Sequence, residues 1–118
     1  MKTSIFLSNC PSSLIDNLPE NMQVRGRLSF YKCKRLRSLP KDLKVSGELN
    51  LYNSSLKSLP EGLKVGGWLS LNYCLSLKSI PDDLKVGDDI FINPDNEEGT
   101  GVRKEDFPIH LQSKVKMI

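Results

Sequence analysis

Histidine, tryptophan and cysteine are scarce in this 118-residue chain, which has one histidine, one tryptophan and three cysteines. A catalytic site needs acid, base or nucleophilic groups that converge, and His110 has neither a glycine-rich phosphate loop nor a metal-ligand spacing around it. The acidic pairs Asp82-Asp83 and Asp88-Asp89 lack the spaced oxygen ligands of a calcium loop. We therefore expect no enzyme, no metal site and no cofactor.

Long apolar runs are also missing. None approaches the roughly 18 residues that cross a bilayer, and the three large apolar residues Ile5, Phe6 and Leu7 are too few for a secretory signal core. The net charge of +3 is too small by itself to indicate a nucleic-acid or anionic-membrane partner. We expect a cytoplasmic protein that does not bind membranes, although export by a route without such a signal stays open.

A repeat of 20 to 21 residues organises most of the chain. Prolines return at positions 19, 40, 60 and 81, at intervals of 21, 20 and 21, and again at position 108 after an insertion. Between them the same apolar columns recur, namely Met22/Leu43/Leu63/Leu84, Val24/Val45/Val65/Val86, Leu28/Leu49/Leu69/Ile90 and Phe30/Leu51/Leu71/Ile92. One copy cannot bury these side chains alone, but copies stacked in register can. The pattern therefore predicts a solenoid.

The predicted fold is a short right-handed stack of about four repeats with mostly parallel strands, because the last two columns alternate with period two. Residues 1–18 are expected to cap one end, residues 19–94 to form the repeats, and residues 95–118 to form an acidic loop and a second cap. The glycines Gly26, Gly47 and Gly67 recur two residues before a strand, where we expect a tight or positive-φ backbone.

Cys33 and Cys74 occupy one column of the repeat, with Ser54 between them. Two strand spacings of roughly 4.8 Å separate their Cα atoms by about 10 Å, beyond disulfide reach. We expect both to be buried thiols of a reduced protein, which favours a reducing compartment.

The segments Leu28–Leu36 and Leu69–Leu77 match the pattern L-x-L-x-x-C-x-x-L, with Phe30 at the second leucine position of the first segment, and each follows a Pro-x-x-apolar lead-in. In this the chain resembles bacterial and phage leucine-rich-repeat proteins, including the repeat region of secreted effectors of Gram-negative pathogens without their catalytic domain. The inserted Val-x-Gly-x-Leu segment departs from that family, so the convex side is expected to be irregular or a second strand. The resemblance implies protein binding through the strand face, by a small protein that modulates or inhibits a host protein, with delivery into a host cell left open.

Residues between the buried positions of each strand point outward and define a candidate binding face. Its aromatic and charged side chains are of the types enriched among interface hot spots. The candidate partner-binding residues are Arg27, Tyr31, Glu48, Asn50, Tyr52, Trp68, Ser70, Tyr73 and Phe91.

Two alternatives to this protein-binding function stay open. Stacked cations could bind nucleic acid or another polyanion through an edge formed by Arg37, Lys44, Lys57, Lys64, Lys78 and Lys85. Alternatively, imperfectly capped ends could self-associate into a structural assembly. Of the oligomeric states, we expect a monomer.

Overall fold

The computed structural model describes residues 4–8, 18–93 and 101–118. These residues form a parallel-strand β-solenoid of about five turns spaced about 21 residues apart, with very little helix. The predicted solenoid of stacked repeats is thus confirmed. Its strands are β1 (Ile5–Ser8), β2 (Gln23–Val24), β3 (Leu28–Tyr31), β4 (Lys44–Val45), β5 (Leu49–Asn50), β6 (Lys64–Val65), β7 (Leu69–Ser70), β8 (Lys85–Val86), β9 (Ile90–Ile92) and β10 (Val115–Met117).

The strands form two sheets. The larger has six strands in the order β1-β3-β5-β7-β9-β10, and the second has four in the order β2-β4-β6-β8. All pairs are parallel, and the repeat columns are in register, as in Leu28 opposite Leu49 and Leu49 opposite Leu69. Of the two convex-side structures predicted, the chain therefore adopts the second strand.

The core lies between the two sheets and is built from the predicted columns. In the strand pairs, residues such as Leu28, Leu49 and Leu51 are fully buried, and each valine of the second sheet faces the same interior. Full burial of one such side chain stabilises the fold by about 1.5–3 kcal/mol. The stack is therefore held by identical side chains packing on one another from turn to turn.

Both ends of the six-stranded sheet carry an added strand. The N-terminal segment predicted to be an apolar lid pairs with β3 as β1, and β10 pairs with β9 after a short 3-10 helix, Lys104–Asp106, and helix α1, Ile109–Gln112. The ammonium group of Lys114 donates hydrogen bonds to the carbonyls of Val86 at 2.9 Å and Gly87 at 3.1 Å. These two backbone acceptors at the end of β8 are therefore hydrogen-bonded by the C-terminal segment. Residues 1–3 and 9–17 of the predicted N-terminal cap, residue 94 of the predicted repeats and residues 95–100 of the predicted acidic loop lie outside the described residues.

The recurring glycines are required mainly by close approach between turns. Only Gly26 of the three predicted positions has a positive φ, 138°. A Cβ atom on Gly47 would lie 2.6 Å from the carbonyl oxygen of Gly26, and one on Gly67 would lie 3.0 Å from the carbonyl carbon of Gly47. Of the two predicted alternatives, the positive-φ backbone therefore occurs at Gly26, and the tight backbone occurs at Gly47 and Gly67, where a Cβ atom would meet the neighbouring turn.

We predict that Gly47→Ala destabilises the fold by about 1–3 kcal/mol, because the added methyl group meets rigid backbone instead of a flexible side chain. Glu61→Ala is the control, since Glu61 is exposed and contributes only its carbonyl to a backbone hydrogen bond. The measurement is the free energy of unfolding in urea, followed by circular dichroism. Equal unfolding midpoints for the two variants would contradict the role assigned to Gly47.

Candidate functional site

The outer face of the six-stranded sheet presents a central row of side chains that crosses all six strands. Strand pairing sets each member directly beside its counterpart in the next turn. The row consists of Phe6, Ser29, Asn50, Ser70, Phe91 and Lys116. At roughly 4.8 Å per strand it is about 24 Å long, with polar residues in the middle and aromatic residues towards both ends.

Three tyrosines form a contiguous strip along one side of this row. The rings of Tyr31 and Tyr52 stack with centroids 5.0 Å apart, and Tyr73 meets Tyr52 edge to face at 5.4 Å. Tyr73 reaches the strip from the turn after β7, in the same left-handed conformation (φ 59°) that Lys32 and Asn53 adopt in the preceding turns. The exposed fractions of Tyr31 and Tyr73 are 41% and 52%, so the strip can contact a partner.

On the other side of the row lie an ion pair and a tryptophan. The Nε atom of Arg27 is 2.8 Å from Oε1 of Glu48, and Trp68 follows in the next turn. Trp68 contacts Phe91 with ring centroids 6.0 Å apart. Ring contacts with the neighbouring turn restrict the motion of these side chains, so the surface is largely preorganised for binding.

A shallow hollow of about 280 Å³ opens between these groups. Its apolar walls are Phe6, Tyr31 and Trp68, and its polar lining includes Arg27, Glu48 and Asn50. The Asn50 side-chain oxygen accepts a hydrogen bond from the Tyr52 backbone N–H at 3.0 Å, which orients the amide. The hollow is at the small end of ligand cavities and has the size to receive one large side chain of a partner.

The structure brings most of the predicted partner-binding residues onto one surface, with two differences. Ser70 is only 8% exposed, and its hydroxyl donates to the side-chain oxygen of Asn72 at 3.1 Å, so it supports the surface from beneath. Phe6, 66% exposed, was missed because it precedes the first recognisable repeat. Its position between Ile5 and Leu7 was the available signal, since these neighbours pair in register with Leu28 and Phe30, whereas Phe6 pairs with the outward-facing Ser29.

The cysteine column differs from its prediction at one position. Cys74 is a buried free thiol, as expected, and its Sγ donates to the Leu51 carbonyl at 2.9 Å and lies 3.4 Å from the Ser54 hydroxyl. Cys33 is buried but disulfide-bonded, so the prediction of a reduced thiol is wrong there. Cys10 lies outside the described residues. Cys33 therefore does not support the prediction of a reducing compartment.

The six residues of the alternative cationic edge are divided between two sides of the stack. Lys44, Lys64 and Lys85 lie on the outer face of the second sheet, paired in register. The others, Arg37, Lys57 and Lys78, lie on the segments that return from the six-stranded sheet, where Lys78 N–H donates to the Lys57 carbonyl. They therefore form two separate surfaces.

Among the described residues, no group of three or more histidine, cysteine, aspartate or glutamate side chains is placed to hold a metal ion. In the same segments, no helix has the length and apolar character that a membrane crossing requires. Comparisons with family models, with curated proteins and with solved structures found no match for this chain. The resemblance to leucine-rich repeats therefore depends on the residues themselves.

We predict that Cys74 reacts with a thiol reagent more than about tenfold more slowly in the folded protein than in urea. Burial raises the pKa of the Cys74 thiol, although the hydrogen bond from Ser54 opposes this effect, and thiolate is the reactive form. Iodoacetamide labelling at pH 8, quantified by mass spectrometry of the Cys74 peptide, measures both rates. Similar rates in the two conditions would show that the column is accessible.

Proposed function

We propose that the protein is a non-catalytic binding module of the leucine-rich-repeat type, which binds another protein through the outer face of its six-stranded sheet. The observation that carries this proposal is the hollow bounded by Phe6, Tyr31 and Trp68 beside the paired charges of Arg27 and Glu48. Interface hot spots combine such aromatic and arginine side chains around a pocket that a partner can fill.

Each part of the surface has a separate role in this proposal. Trp68 and the tyrosine strip provide apolar contact area with little conformational freedom to lose. Arg27 and Glu48 select the partner, because a partner that covers this ion pair removes water from both charges and must offer polar groups for their remaining hydrogen bonds. Asn50 orients the entering side chain by hydrogen bonding. Phe91 lies at the margin of the contact.

The size of the face determines how a partner binds. A specific complex usually buries about 800 Å² on each protein. The sheet face is about 24 Å across the strands and about 13 Å along them, which is roughly 300 Å² before side chains are considered. A stable partner would therefore also contact the rim, where Phe6 and Tyr73 are exposed.

The class of partner comes from the sequence resemblance. The lead-in segments and the cysteine-bearing strands resemble repeats in bacterial effectors and phage proteins, so the proposed role is modulation or inhibition of a host protein. We propose that this takes place in the cytoplasm with the module as a monomer.

We predict that Trp68→Ala weakens partner binding by about 2 kcal/mol or more, which is about 30-fold in Kd, because it removes one wall of the hollow. Affinity capture from a bacterial lysate with the wild type identifies the retained proteins, and calorimetry with a purified partner measures Kd. Moderate changes of salt should have little effect on this Kd.

The matched control is Ile109→Ala, which removes a side chain that is 88% exposed on α1, away from the sheet face. It should bind like the wild type, and circular dichroism should show all three proteins folded. Capture of the same proteins in the same amounts by Trp68→Ala and the wild type would refute the proposed binding face.

A further inference from the structure

The outer face of the second sheet carries an open groove of about 410 Å³. The valines of β2, β4, β6 and β8 point into the core, so the residues on either side of them point outward. The polar lining of the groove is Gln23, Arg25, Lys44, Ser46, Lys64 and Lys85. The groove runs along the stack, across successive turns.

The three lysines of this lining form a row of positive charge without partner carboxylates among the described residues. Register places Lys44 beside Lys64 and Lys64 beside Lys85, about 4.8 Å apart at each step. None of the three ammonium groups forms an ion pair or a side-chain hydrogen bond with another described residue. Like charges on adjacent turns of the stack repel, and a ligand that neutralises them would remove the repulsion. The geometry therefore favours an anionic ligand.

The column beside the lysines explains why the groove is open. Its successive members are Arg25, Ser46, Gly66 and Gly87, so the side chains become smaller along the stack. A Cβ atom on Gly66 or Gly87 would clash with the backbone carbonyl of the preceding turn. Close stacking thus excludes side chains at these two glycines. The valines Val24, Val45 and Val65 form an apolar floor, and Arg25 adds a fourth positive charge at one end.

The chemistry of the lining narrows the class of anion. Lysine and arginine only donate hydrogen bonds, and no carboxylate lines the groove, so a sugar polymer would find few acceptors for its hydroxyl groups. The lining also has no aromatic ring, whereas proteins that bind single-stranded nucleic acid usually stack bases on such rings. A narrow chain made only of charged oxyanions fits these conditions.

We propose that this groove binds a linear polyphosphate chain that lies along the stack axis, with phosphate groups on Lys44, Lys64 and Lys85 and the chain extending towards Arg25. This site is on a different sheet from the proposed protein-binding face and does not depend on it.

The test uses the full chain and fluorescently labelled inorganic polyphosphate, with binding followed by anisotropy at several salt concentrations. The triple variant Lys44→Gln, Lys64→Gln and Lys85→Gln should bind at least about tenfold more weakly than the wild type, with a smaller dependence on salt. Trp68→Ala should bind polyphosphate like the wild type. A failure of the proposed protein binding at the six-stranded sheet is thereby distinguished from a failure of polyphosphate binding at the groove.

The matched control is the triple variant Lys34→Gln, Arg35→Gln and Lys104→Gln, which lowers the net charge by the same amount at exposed residues outside the groove. If the lysine row is the binding site, and not merely the net charge of the protein, this variant should keep wild-type affinity for polyphosphate to within about twofold. Circular dichroism shows whether each variant is folded.

The proposal is overturned if the wild type does not bind polyphosphate or if both triple variants weaken binding equally. Competition by oligo-dT or by heparin distinguishes other polyanions. Tighter binding of oligo-dT would assign the groove to single-stranded nucleic acid, and tighter binding of heparin would assign it to a sulfated polysaccharide, and either result would refute the polyphosphate assignment.

Discussion

In-register stacking of successive turns determines both the core and the surfaces of this molecule. Backbone N–H groups of one turn donate to carbonyls of the next, as Leu28 does to Glu48 at 2.9 Å and Leu49 does to Trp68 at 3.0 Å. Because these bonds fix the register, residues at the same position of successive repeats lie about one strand spacing apart. The buried leucine columns, the tyrosine strip and the lysine row are therefore consequences of one geometric rule.

The same rule has opposite energetic effects on different side chains. Stacked leucines exclude water, and stacked tyrosines gain ring contacts, so both favour the fold. Stacked lysines repel one another and gain nothing from the core. The two sheets consequently present different surfaces: one is aromatic with paired charges, and the other is cationic with an apolar floor. A thin stack can therefore offer two binding surfaces of different chemistry without a second domain.

Much of this could be predicted from the repeat alone, because a column of identical residues in sequence becomes a row in space. Tyr31, Tyr52 and Trp68 were assigned to the outer face for this reason, and the structure places them there. The errors occur where the pattern gives no information on a contact between turns. The accessibility of Ser70, for example, depends on how its neighbours cover it, and the chain pattern does not encode this. Gly47 was predicted to have a tight or positive-φ backbone, and only the position of the Gly26 carbonyl in the preceding turn shows that close approach is the reason.

Local spacing and hydrophobicity along the chain are enough to define the period, the buried columns and the division of each strand into inward and outward residues. Contacts between turns establish that the convex side is a second sheet, that Phe6 joins the aromatic surface, and that the predicted cationic edge is divided between two surfaces. Each of these features depends on pairing between segments one or more turns apart. The hydrogen bonds and the space between those segments decide these features, and neither can be deduced from one segment alone.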